Sequence, residues 1–156
     1  MNIVIFMDGV LRGGFGQPLR GGIALYKALA PEHRVLLIGT NEEADKHWIA
    51  EENLPDYAHL TQLDPLDIED GIILRTLSTV RTRGRIDLII IANPALASEC
   101  FTLGYETMLY VSPAFARPSW RPDARKAEGP TPWQAFTEEV RNQKRAAAAI
   151  PPVADE

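Results

Sequence analysis

Asp8, Thr40 and Asn93 carry the most legible chemistry in this sequence, because each stands at or just past the end of an apolar run. The runs are Asn2-Ile3-Val4-Ile5-Phe6-Met7, Arg34-Val35-Leu36-Leu37-Ile38-Gly39 and Ile86-Asp87-Leu88-Ile89-Ile90-Ile91. A carboxylate, a hydroxyl and an amide delivered to one edge make a site layout, whether or not the site still works on a substrate. Cys100 is a further candidate nucleophile, but its place in the middle of a helical pattern reads as packing. His33, His47 and His59 show neither metal-ligand spacing nor a paired nucleophile. Two of the site residues also have plain structural roles. An Asp before Gly9 caps a turn comfortably, and Thr40 with Glu43 matches a capping box.

The elements that must position these groups alternate between strand and helix. The run at 2–6 is apolar on both faces, which suits a central parallel strand with no wet side. A polar residue just past its carboxyl end sits where open α/β sheets bind ligands. Residues 12–20, rich in glycine, read as a mobile loop; their Gly-Gly-x-Gly lacks the spacing of a phosphate loop. Helices are expected over 22–30 and from Thr40 to about 53, the second burying Ala44, Trp48 and Ile49, with Pro55 after it. A short strand follows at 58–61. Asp67 is expected to cap one helix from about 68 to 83, its apolar face being Ile72, Ile73, Leu77 and Val80. Asn93-Pro94 starts another helix, which stops at Gly104, and a last strand spans 106–111. This βαβαβαβαβ pattern predicts a three-layer α/β/α, Rossmann-like domain over residues 1–113. Its five-stranded parallel sheet should have the order 3-2-1-4-5, with the switch point between the first and fourth strands. Residues 114–132 read as a proline-rich arm, 133–149 as a final helix with Trp133, Phe136 and Val140 on one face, and 150–156 as a disordered tail.

Composition narrows the function classes. With 156 residues, 46% hydrophobic and 24% charged, the chain is expected to be one globular domain. Sixteen basic against 21 acidic residues give a net charge of −5, which makes nucleic acid and anionic membrane unlikely partners, although a local basic patch is compatible with it. A single cysteine forbids an internal disulfide and fits a reducing cytoplasm. No stretch approaches a membrane span, and the N-terminus lacks a basic start and a cleavage site.

Ile5-Phe6-Met7-Asp8-Gly9-Val10-Leu11 resembles the first motif of the haloacid dehalogenase-like (HAD) phosphohydrolases, an apolar strand ending Asp-x-Asp-Gly. Leu36-Leu37-Ile38-Gly39-Thr40-Asn41 is similar to the second motif, and Ile89-Ile90-Ile91-Ala92-Asn93 stands where the fourth should be. The proline-rich arm also resembles those of short HAD-like proteins of actinobacteriophages. What the resemblance implies is a scaffold without its machinery. The nucleophilic Asp is Phe6, and the acidic pair that helps hold magnesium is Ala92 and Asn93. Asp8 remains as a relic general acid/base. Magnesium takes carboxylate oxygens, and this sequence loses two of the family's carboxylates. A phosphate could still be held without metal by Thr40, by backbone N–H groups of residues 8–11, and by Arg81 or Arg85, the best matches to the family's basic residue. The loop after the first strand is too short for a cap domain, which leaves the surface open to a macromolecule.

The sequence therefore predicts a catalytically inactive, pseudo-phosphatase HAD-like protein acting as an interaction or structural module, with no cofactor. Its Trp120- and Trp133-bearing C-terminal arm is the expected contact surface for a protein partner. If phage-encoded, that partner is a virion component or a host protein, and the setting is the host cytoplasm or the virion. Two rivals stand beside it: a HAD phosphohydrolase with a rearranged, magnesium-dependent site, and a phosphate or nucleotide sensor.

Overall fold

In the computed structural model, which describes residues 1–54, 56–112 and 132–149, the first apolar run forms β1 (Asn2–Phe6) at the centre of a parallel sheet. β2 (Arg34–Gly39) and β4 (Leu88–Ile91) flank it, with β3 (Tyr57–Gln62) beyond β2 and β5 (Thr107–Leu109) beyond β4. The order 3-2-1-4-5 is as expected, and every pairing is parallel. The period-two alternation of strands divides the core into two layers. Ile3, Ile5, Val35, Leu37 and Ile90 face one side, where they meet Tyr26 of α1 (Arg20–Leu29) and Ile49 of α2 (Glu42–Glu51). Val4, Phe6, Leu36, Ile38, Ile89 and Ile91 face the other, against Leu77 and Val80 of α4 (Leu74–Arg81) and Ala97 and Cys100 of α5 (Pro94–Thr102). Between β3 and α4 lies the short α3 (Pro65–Asp70), and the last described element is α6 (Pro132–Ala149). Among the described residues no helix is long and apolar enough to cross a membrane.

One glycine sets how closely the first layer packs. A Cβ on Gly22 would collide with the Val10 carbonyl, so α1 can lie against the turn after β1 only because that residue has no side chain.

Local signals were replaced in three places. Thr40 is exposed and caps nothing; the N-cap of α2 is Asn41, whose side chain accepts from Ala44 N at 3.0 Å. α2 buries Ile49 and the unexpected Asp45, while Ala44 is exposed and Trp48 half-buried. The expected 68–83 helix is two helices, broken at Gly71, whose φ of 68° lies in the left-handed region. Asp64 caps α3 through Leu66 N. Asp67, fully buried inside α3, instead receives Thr76 N (2.6 Å), Thr76 Oγ1 (2.7 Å) and Arg75 N (3.2 Å) from the first turn of α4. Glu99 of α5 accepts from Ile73 N at the same helix start. Asn93 caps α5 as expected, with Pro94 at its first position and Gly104 at φ 91° beyond its end. The expectations for Pro55, for the arm through residue 131 with Trp120, for the Trp133 side chain and for the tail at 150–156 lie outside the description.

Candidate functional site

The carboxyl edge of the sheet receives Asp8, Thr40 and Asn93 by the same geometry: each follows the last residues of a central strand. Phe6 ends β1 turned into the apolar layer beneath α4 and α5, 5% exposed among Leu36, Ile38 and Ile91. Beyond it the chain turns sharply. Met7 O accepts from Val10 N (3.3 Å), Leu11 N (2.9 Å) and Arg12 N (3.2 Å), while Gly9, at φ 85°, donates to Arg12 O. Only a residue without Cβ takes that conformation without strain.

The turn delivers Arg12, a residue the sequence reading passed over. Arg12 is 9% exposed and lies between two carboxylates. Its Nε donates to Asp8 Oδ1 and its Nη1 to Asp45 Oδ1, both at 2.6 Å. Asp45 is 1% exposed; its other oxygen accepts from Asn41 N at 3.0 Å. The Asp45 carboxylate presses so closely on Gly39 that a Cβ there would collide with it. Above the guanidinium lies Trp48, its ring centroid 5.8 Å from Arg12 Cζ, a cation–π arrangement. Burial works against the Arg12 charge, and the two carboxylates more than offset it, leaving the pKa raised.

Trp48 also holds the glycine-rich loop: its Nε1 donates to Gly16 O at 2.7 Å. Arg12 pairs across the loop with Pro18, and Gly13 N bonds Gln17 O. The loop is thus pinned at its base and its middle, with Gln17 Nε2 buried and without a partner among the described residues. At its tip Phe15 stands 86% exposed.

Several of the amides that an anion would use at this edge are taken by the chain itself. At the start of α2, Asn41 N is bonded by Asp45, Glu42 N by Gln62 Oε1 and Ala44 N by Asn41 Oδ1. At the start of α5, Ala95 N is bonded by Asn93 Oδ1 (3.0 Å) and by Gln143 Oε1 of α6 (3.1 Å), and Leu96 N by Asn93 Oδ1. In the turn after β1, the N–H groups of residues 9–12 point inward, as described above. A cleft of about 260 Å³ remains between Asn93, Ser112 and the Phe136 and Glu139 positions of α6. Glu139 is the charged residue in its lining, which suits no anion.

Arg81 and Arg85 do not reach this edge. The Arg85 carbonyl accepts from Asn2 Nδ2 at the start of β1, and Arg85 Nε pairs with Asp87 at 2.8 Å. Arg81 lines the same hollow as Arg85 and Asp87. Both arginines lie at the amino edge, a strand length of roughly 16 Å from Asp8. The phosphate-binding set of Thr40 with Arg81 or Arg85 is therefore not assembled. Cys100 packs in the second layer, fully buried, and burial pushes its thiol up to about 12, out of reach of nucleophilic use at neutral pH.

The donor set does not suit magnesium. Asp8 already faces a guanidinium, Phe6 and Ala92 offer no oxygen, and the Asn93 oxygen is committed to α5. Among the described residues no group of three or more His, Cys, Asp or Glu is disposed to hold a metal ion. Set against protein-family models, curated proteins and solved structures, the chain matches none.

Proposed function

We propose that this chain is a non-catalytic interaction module built on a HAD-like phosphohydrolase scaffold. One observation carries the reading: the carboxyl edge is saturated from within. Amides at the starts of α2 and α5 are filled by the protein's own oxygens, and Arg12 is neutralised by Asp8 and Asp45. Phosphoryl transfer rests on positioning and on charge stabilisation by metal and cations, and this edge has neither to spare. The order of the three motif-like strand ends supports the family; Phe6, Ala92 and Asn93 at the catalytic positions support the loss of its chemistry.

The same saturation argues against a phosphate sensor at this edge and for a surface read by a protein. Phe15 is a large apolar group held out in water on a loop that Trp48 fixes, the form that an interface anchor takes. A virion component or a host protein is the expected class of partner if the chain is phage-encoded. The test combines turnover with site-resolved binding. We expect no hydrolysis of a generic phosphomonoester, no change of melting temperature with magnesium, and unmoved Thr40, Ala44 and Ala95 amide resonances with magnesium and phosphate together. Magnesium-dependent turnover abolished by Asp8→Asn would overturn the reading.

A further inference from the structure

The amino edge has the opposite electrostatic character, and its arrangement is not explained by the fold alone. Arg34 opens β2, His59 lies in β3, and Arg83 follows α4. Arg34 Nη1 donates to the Arg83 carbonyl at 2.7 Å, and Arg83 Nη1 lies 3.4 Å from His59 Nε2. Gly84, at φ 141°, lies between Asn2 and Arg34: a Cβ there would be 3.0 Å from Asn2 Nδ2 and 3.1 Å from Arg34 Nη1. So three basic residues from three different segments neighbour one another, Arg34 holding the Arg83 backbone and the Arg83 side chain reaching His59.

A helix C-terminus favours cations, which accounts for Arg81 and Arg83 but not for Arg34 and His59. Neither Arg34 nor Arg83 has an ion-pair partner among the described residues, a state they share with Arg20, Lys27, Arg81, Lys144 and Arg145, whereas Arg85 nearby is paired with Asp87. The charge of Arg34 and Arg83 is therefore met by no carboxylate in direct contact. The His59 ring registers it: burial, then Arg83, then Arg34 all lower its pKa, and no carboxylate opposes them. Each guanidinium has five donors and spends one here on a neighbour.

We propose that Arg34, Arg83 and His59 form a seat for a phosphate monoester. Guanidinium forks match the paired oxygens of a phosphate, and the imidazole supplies a third donor once protonated beside the dianion. The seat is at the edge of the sheet opposite Asp8, so it is independent of the carboxyl-edge reading. The phosphate can belong to a small metabolite or to a phosphorylated protein segment; both share the chemistry recognised.

The experiment is a titration of the full chain followed by NMR at the His59 imidazole and the arginine Nε–H groups. One arm uses inorganic phosphate; the other uses an acidic peptide bearing one phosphoserine. We expect saturable shifts at His59 and Arg83, with Asp8 and Thr40 unmoved, and at least tenfold weaker binding in Arg83→Glu at unchanged melting temperature. Arg83→Lys should retain part of the affinity, keeping charge but losing the fork. Tighter binding of the peptide than of free phosphate would assign the protein source, and equal binding the small molecule. Non-saturating shifts in both arms, or the same shifts with sodium chloride at equal ionic strength, would overturn the proposal.

Discussion

At the scale of single residues, Arg12 is the side chain on which the candidate site depends. It is buried between Asp8 and Asp45, and the Asp45 carboxylate has water on no side. Removing one partner of a buried pair leaves an uncompensated charge, which costs about 3–5 kcal/mol, whereas removing both is far milder. Arg12→Met should therefore lower unfolding stability by about 3 kcal/mol in urea denaturation. Arg12→Met combined with Asp45→Asn should recover part of that loss. Equal destabilisation in the single and double variants would show that the penalty comes from lost packing against Trp48 rather than from the orphaned carboxylate. Gly39 belongs to the same argument, because a side chain there would drive Asp45 out of reach of Asn41 and Arg12.

At the scale of elements, the α3–α4 corner is held by a carboxylate rather than by helix propensity. Asp67 is desolvated, and burial alone would raise its pKa; the bonds from Thr76 and Arg75 outweigh burial and hold it below the usual carboxylate range. A depressed folded pKa means that the contribution is fully present above the unfolded value, about pH 4, and disappears as pH falls through the folded value. Glu99 acts in the opposite sense, since burial raises its pKa and acidification there favours the fold. Asp67→Asn should cost about 2 kcal/mol at neutral pH and flatten the acid limb of a melting-temperature profile below pH 4. A variant whose acid limb runs parallel to that of the parent would assign the acid sensitivity to other groups. Thr76→Val removes the hydroxyl that donates to Asp67 and accepts from Asp64 N, leaves the Thr76 N bond in place, and should reproduce part of the effect.

At the scale of the whole molecule, the topology was legible because β1, β2 and β4 are apolar on both faces, and only a sheet covered on both sides buries such strands. Asn93-Pro94 and Gly104 fixed α5 by local rules that tertiary packing did not need to override. Phe6 lies in the apolar layer under α4 and α5, and Asn93 is spent on capping α5. What stayed hidden was non-local. Asp45 sits in Glu42-Glu43-Ala44-Asp45-Lys46, which reads as a solvated helix face, and nothing near it in sequence announces Arg12. Arg81 and Arg85 precede a strand, and sequence order could not say that they remain at its near end. Gly71 falls inside the expected 68–83 helix, and its positive φ divides α3 from α4. The glycine-rich stretch after β1 was read as mobile, yet one carbonyl, Met7 O, gathers three successive N–H groups, and Trp48 clasps Gly16. Its kinetics of deuterium uptake should betray this. Val10, Leu11 and Arg12 should exchange with the slow amides of β1, through the same cooperative opening, while Gly14, a few residues on, exchanges at nearly the rate of an unstructured peptide.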